Sequence, residues 1–171
     1  MDWANKVVLI TGASSGIGRG IGIELAHRGA SVGLLARRRD VLEQVADEIR
    51  HAGGRALALP TDVTNPDAMR AAAHELRREF GPIDLLIANA GISVNTFVPD
   101  LCEKKITELI NVNVIGVVNS VSAVLRDMVD RGSGHLVVNS SLAAIVDSQG
   151  PPRTARAKLR YRAFLRPYGS I

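Results

Sequence analysis

The segment Thr11-Gly12-Ala13-Ser14-Ser15-Gly16-Ile17-Gly18 constrains this 171-residue chain more than any other part. It stands between the aliphatic run Lys6–Ile10, which reads as a strand, and an amphipathic stretch from Gly16 to Arg28, which reads as a helix. Gly12 permits a tight exit from the strand, Gly16 lets backbone come close to a ligand, and Gly18 has no side chain to hold the helix off the sheet. The helix start then offers unpaired N–H groups and the positive end of its dipole to a pyrophosphate, with Ser14 and Ser15 as added hydroxyl donors. Taken alone, three glycines also serve an ordinary tight turn. Their spacing is not that of the general dinucleotide fingerprint, and the Gly-Lys-Ser/Thr of a phosphate-binding P-loop is missing.

The rest of the chain repeats the alternation of short aliphatic runs with longer amphipathic ones, the pattern of a parallel sheet built from strand–helix–strand units. Strands are expected at Ser31–Ala36, Ala56–Pro60, Ile83–Ala88 and His135–Asn139. Helices are expected at Asp40–Ala52, at Asp67–Phe80 behind the Asn65-Pro66 start signal, and from Leu101 to Arg131. Gly29, Gly53-Gly54 and Gly132 with Gly134 end helices. After Gly150 the periodicity dissolves into an arginine-rich segment broken by Pro151-Pro152 and Pro167. The domain organisation expected is therefore a nucleotide-binding domain over 1–149 and an aberrant basic tail over 150–171.

Charge is informative only through its location. The formal net charge is +4, which would raise nucleic acid as a partner. Arg153, Arg156, Lys158, Arg160, Arg162 and Arg166 all lie in the tail, and without them the balance falls to −2. No nucleic-acid partner is expected. The one cysteine, Cys102, excludes an internal disulfide and sits apart from any Cys or His cluster, so no metal site is expected. His27, His51, His74 and His135 stand singly and read as surface residues, and Trp3 as a packing residue. The first residues lack the basic start of a secretory signal, and no run approaches 18 uncharged apolar residues. These readings favour a cytoplasmic chain without a membrane partner.

Several motifs recur in an order that makes this chain resemble the classical short-chain dehydrogenase/reductase family. They are Thr11-Gly12 through Gly16-Ile17-Gly18, Asp62-Val63 after the third strand, Asn89-Ala90-Gly91 after the fourth, Asn113 in the long helix, and Ser140-Ser141 closing the fifth strand. Singly, Asp62 could be a turn carboxylate, Asn89 a turn former, Asn113 a satisfied helix residue and Ser141 a cap. Together the resemblance covers residues 1–149. It implies an α/β fold, a Rossmann-type doubly wound parallel sheet, here incomplete at its C-terminal end. It implies hydride transfer between a nicotinamide cofactor, NAD or NADP, and a small carbonyl or alcohol substrate. Asp62 and Val63 would meet the adenine ring, and Asn89, Ala90 and Gly91 would steady the central sheet beside the cofactor. Ser141 would hold the carbonyl oxygen and Asn113 would position a relay water. Full-length members of such a family are homodimers or homotetramers.

The cofactor's identity turns on the residues that leave the second strand. An acid there would hydrogen-bond the ribose hydroxyl of NAD and repel a 2′-phosphate. The chain instead has Ala36-Arg37-Arg38-Arg39, and an arginine fork matches a phosphate, so NADP is preferred over NAD. A solvated helix start would also account for Arg37 and Arg38.

The resemblance also exposes a gap. In the family a tyrosine transfers the hydroxyl proton and a lysine four residues on lowers its pKa, from about 10 for a free phenol. The register puts that tyrosine at position 154, where this chain has Thr154, although Lys158 stands at the lysine's place. One nucleotide lost between the codons for Ser141 and Arg153 would explain it. Read in the compensating frame, the Arg153/Thr154 codon junction permits tyrosine, and the junctions after it permit Ser-Ala-Ser-Lys-Ala-Ala-Leu. A frameshifted, truncated product is expected, with impaired activity. The other readings are a divergent, non-catalytic dinucleotide-binding protein and a product without function.

Overall fold

A computed structural model describes residues 3–93 and 102–140. The elements run β1 (Val7–Thr11), α1 (Gly16–His27), β2 (Ser31–Ala36), α2 (Arg39–His51), β3 (Arg55–Pro60), α3 (Pro66–Phe80), β4 (Leu85–Ala88), α4 (Glu103–Ile110), a π-helical turn (Asn111–Ile115), α5 (Gly116–Asp130) and β5 (His135–Val138). The strands form one parallel sheet in the order β3-β2-β1-β4-β5. Each crossover passes through a helix, as parallel pairing demands. This is the Rossmann-type α/β architecture expected from the sequence.

Alternation along β1 explains why both faces are covered. Val8 and Ile10 pack into a cluster with Leu25, Leu42, Val45 and Ile49 from α1 and α2. Val7 and Leu9 point the other way, toward Met69, Leu76, Val124 and Met128 from α3 and α5. A central strand buried on both sides is built almost wholly from apolar residues, and β1 and β2 are, with only Thr11 and Ser31 polar at their ends. Pairing extends one residue beyond the expected strand because Thr11 pairs with Leu35. Conversely, Ile83 and Asp84 precede β4; the Asp84 N–H donates to the Val7 carbonyl at 2.8 Å, and its carboxylate accepts from the Val7 N–H at 3.0 Å.

The expected helix after β4 is continuous in direction but not in winding. At its middle the Gly116 N–H reaches back five residues to the Asn111 carbonyl, giving the π turn. A Cβ on Gly116 would lie 2.6 Å from the Val63 Cγ2, so the helix approaches the β3–α3 connection as closely as a glycine allows. This helical stretch also corrects the expectation that no segment is long and apolar enough to span a membrane. Glu103–Asp130 is long and apolar enough to cross a bilayer by length and composition, against the expectation that nothing comes near that length. Asn and Ser residues within it broke up the apolar run without adding charge. On one face it packs against the sheet through Ser120, Val124 and Met128, while Val118, Leu125 and Val129 remain exposed.

The four histidines are exposed, as is the free thiol of Cys102. Trp3 packs partly buried against the α1–α2 side of the core. The boundary expected near residue 149, and the tail beyond it, lie outside the described residues.

Candidate nucleotide-binding site

In an open parallel sheet, ligands bind beyond the strands' C-terminal ends at the point where strand order reverses. Here the reversal falls between β1 and β4. The two loops that leave those strands are the glycine turn and Asn89-Ala90-Gly91.

The glycine turn is fixed from three sides. Gly12 and Gly16 have φ of 68° and 56°, a region costly to other residues. The Ala13 N–H donates to the Leu35 carbonyl at 3.0 Å, tying the turn to β2. Gly18 faces the turn's own start, where a Cβ would lie 2.5 Å from both the Gly12 carbonyl oxygen and the Asn89 Nδ2. Gly18 thus lets α1 sit against the strand exit. A Cβ on Gly16 would meet nothing within 4 Å, so this glycine opens onto free space.

Helix α1 begins unsatisfied. Ser15 occupies the N-cap without a side-chain capping bond, and no acid stands in the first turn. In α3, by contrast, the Asn65 Oδ1 accepts from the Ala68 N–H at 3.0 Å and Asp67 follows. The first N–H groups of α1 therefore face outward without a protein anion, which suits a bound phosphate. Ser14 is half-buried, and Ser15 and Ile17 are exposed beside them.

Asn89 joins the two loops. Its Nδ2 donates to the Thr11 carbonyl at 3.1 Å and to the Gly12 carbonyl at 3.4 Å. The buried Thr11 hydroxyl accepts from the N–H groups of Asn89 and Ala90 at 3.0 and 2.9 Å. Thr11 therefore serves the joint, its hydroxyl turned inward. Gly12 is equally constrained, since a Cβ there would lie 2.8 Å from the Ala90 Cα. Gly91 is exposed beside them, and the Asn113 Oδ1 stands 3.3 Å from where its Cβ would be.

Beyond β2 and β3 a cleft of about 520 Å³ opens, lined by Arg37, Asp62, Lys104, Glu108 and Val112 among others. The guanidinium groups of Arg37, Arg38 and Arg39 have no partner among the described residues. Most other arginines are occupied: Arg19 with Glu48, Arg50 with Asp47, Arg77 with Asp127, Arg131 with Asp84. Asp62 has a local role as well, its Oδ1 accepting from the Thr64 N–H and hydroxyl at 2.9 and 2.8 Å. Val63 beside it is buried.

Asn113 lies in the π turn, with both ends of its amide engaged. Its Oδ1 accepts from the Ile92 N–H at 2.8 Å and its Nδ2 donates to the Ile92 carbonyl at 2.9 Å. This amide clamp holds the segment after Asn89-Ala90-Gly91 against the helix. The Asn119 Nδ2 likewise donates to the Val63 carbonyl at 2.9 Å. Neither Asn119 nor Asn139, which contacts Asn89, stood out in the sequence. An asparagine amide at a strand end is the only signal that could have found Asn139. Ser141, Lys158 and Thr154 lie outside the described residues.

The geometry fits a dinucleotide: an uncapped helix start, a glycine turn open at Gly16, and a cleft lined by Arg37. Comparison with known proteins agrees. Residues 6–165 match the family model described as short chain dehydrogenase. An uncharacterised oxidoreductase of Listeria innocua is 38% identical over 145 residues, which is 85% of this chain and 58% of that protein. Among solved structures, a 3-ketoacyl-ACP reductase from Sinorhizobium meliloti is 43% identical with a TM-score of 0.77, covering 81% of this chain and 55% of that one. A 7α-hydroxysteroid dehydrogenase complexed with NADH and 7-oxo glycochenodeoxycholic acid is 30% identical with a TM-score of 0.80, covering 86% and 58%. The chain spans under two thirds of the length of these proteins.

Proposed function

From the premise that this chain belongs to the short-chain dehydrogenase/reductase family, we propose that it binds NADP in preference to NAD and serves hydride transfer with a small carbonyl or alcohol substrate. The observation that carries the cofactor choice is the run Arg37-Arg38-Arg39, unpartnered among the described residues, with Arg37 lining the cleft after β2. A guanidinium without a protein carboxylate is free to take the 2′-phosphate in bidentate fashion. Thr11, Gly12, Asn89 and Ala90 hold the turn in shape, and Ser14, Ser15, Gly16, Ile17 and Gly18 present backbone and hydroxyl donors to the pyrophosphate. Asp62 and Val63 border the adenine end, and Gly91 flanks the nicotinamide side. The bound nicotinamide would supply or accept the hydride.

On the substrate side, Ser141 would donate to the carbonyl oxygen, and Lys158 would bring positive charge toward the proton-transfer position. Asn113 would act through its clamp on Ile92, which shapes the loop beside the cofactor. The similar structures include a 3-ketoacyl-ACP reductase and a 7α-hydroxysteroid dehydrogenase complexed with 7-oxo glycochenodeoxycholic acid, which supports a ketone as the acceptor. Thr154 standing where a phenol belongs favours slow turnover. A threonine hydroxyl is far less acidic than a phenol and cannot hand over the proton at neutral pH. The same observation supports the second reading, a dinucleotide-binding protein without catalysis. It also supports the lost-nucleotide explanation of the tail. Sequencing the gene across codons 141–160 tests that explanation: a shifted frame without tyrosine-compatible bases ends it. The single cysteine is in keeping with a reducing cytoplasm. Exposed Val118, Leu125 and Val129 on α5 support self-association, which light scattering of the purified chain would read.

Titration of NADPH and NADH by their own fluorescence tests the cofactor reading. NADPH should bind at least about tenfold more tightly, and Arg37→Ala should remove most of that preference, a charged hydrogen bond contributing about 1.5–3 kcal/mol. Equal binding of both dinucleotides by the unaltered chain would refute the preference.

A further inference from the structure

Asn139, the residue just past β5, stands end to end with Asn89. Its Nδ2 donates to the Asn89 Oδ1 at 2.8 Å, while its own N–H donates to the Ala88 carbonyl at 3.0 Å. The Asn89 amide can meet its partners in one orientation only. Its Nδ2 must face the Thr11 and Gly12 carbonyls, which accept and cannot donate. The Asn89 Oδ1 is thereby left pointing toward β5, where it needs a donor. Asn139 supplies that donor. The chain of bonds runs from β5 through β4 to the exit of β1, three neighbouring strands. It ends on the carbonyl of Gly12, whose positive φ of 68° sets the turn. Asn139 is also followed directly by Ser140-Ser141.

We propose that Asn139 is a positioning residue for the cofactor loop: it fixes the Asn89 amide, and through it the glycine turn, to the strand that leads into Ser140-Ser141. Its action on the cofactor would run through Asn89. This rests on the nucleotide-binding reading of the glycine turn.

Asn139→Asp tests it in a way that a merely structural role would not follow. An ionised aspartate has only acceptors and faces the Asn89 Oδ1 with a repulsion. A protonated one regains a donor. The hydrogen bond favours the neutral acid, so the new carboxyl would titrate above its ordinary value of about 3.9. Affinity is then present below the raised pKa and lost as pH rises through it. On β1, β4 and β5 the neighbouring titratable groups, Lys6, Asp84 and His135, sit at the opposite end of the strands, and Arg19 on α1 is paired with Glu48. None of them obscures the titration.

NADP affinity of the full chain, of Asn139→Asp and of Asn139→Ala should be measured by calorimetry from pH 4 to 8. At pH 8 both variants should bind about fivefold to tenfold more weakly, the worth of one hydrogen bond. At pH 4 the aspartate variant should lie closer to the unaltered chain than it does at pH 8, and the alanine variant should show no such gain. Wild-type affinity of the aspartate variant at pH 8, or a loss unchanged by pH, would overturn the proposal. Deuterium exchange of residues 11–18 without cofactor gives an independent reading. Exchange should quicken in that turn for the aspartate variant at pH 8, and quickening spread over the whole chain would count against positioning. An unaltered chain that bound no dinucleotide would overturn the proposed function alone, because the exchange result would still decide the role of Asn139.

Discussion

The two sides of the sheet's centre differ sharply in how they are covered. In β1 every residue is buried, and in β2 all but the last. In β5 His135, Leu136 and Val137 are exposed, Leu136 at 41% and Val137 at 46%. Helices tell the same story: α1, α2 and α3 bury a full apolar stripe, whereas α4 buries none of its residues and α5 exposes Val118 and Val129. Yet β4 and β5 pair in register like the others. Backbone pairing therefore forms a strand without burying it, and burial is what converts a strand into stability. The glycine turn lies in the well-covered half, while the cleft that begins at Arg37 and Asp62 is walled on its other side by Lys104, Glu108 and Val112 of the open half. The half bearing Asn113 and leading to Ser141 is the open one.

Truncation of core side chains tests that contrast most strongly. Leu34→Ala in β2, at a fully buried position, should cost about 2–5 kcal/mol in chemical denaturation. Gly18→Ala should come next, at about 1–3 kcal/mol, because its Cβ would press on the Gly12 carbonyl and the Asn89 amide. It should also remove dinucleotide binding in a fluorescence titration, and retained binding would show that the turn tolerates a wider exit. Asn89→Ala should cost about 1–3 kcal/mol by thermal unfolding, leaving the Thr11 and Gly12 carbonyls without their donor. Smallest of all, Leu136→Ala in β5 should cost under about 1 kcal/mol. A cost equal to that of Leu34→Ala would mean that β5 is covered in solution, and the contrast would fall.

Motifs and strands were legible to different degrees. The glycine turn, the spare arginines after β2 and the Asn89-Ala90-Gly91 loop are local features, and their residue types and places along the chain announced them. The strand–helix alternation was equally legible because a doubly covered strand is built almost wholly from apolar residues. The π turn at Asn111–Ile115 was not. Its cause is the approach of Gly116 to Val63 and the hold of Asn113 on Ile92, contacts between residues more than twenty positions apart. The apolar length of Glu103–Asp130 was misjudged for a related reason: Asn113 and Ser120 interrupt the apolar run as letters, but in the helix their polar atoms bond to backbone.

By itself the sequence determined the parallel α/β class, the place of the glycine turn, the run of arginines after β2 and the threonine at position 154. Each depends on residue type at a position, or on a period of two or 3.6 residues, which the chain carries locally. Only the tertiary structure decided that the Thr11 hydroxyl turns inward, that Arg37–Arg39 lack partners among the described residues, that β5 stays open and that Asn139 locks Asn89. These are matters of which groups meet across the sheet. Hydrogen-bond satisfaction and burial are settled by neighbours distant in sequence, and no local pattern specifies them.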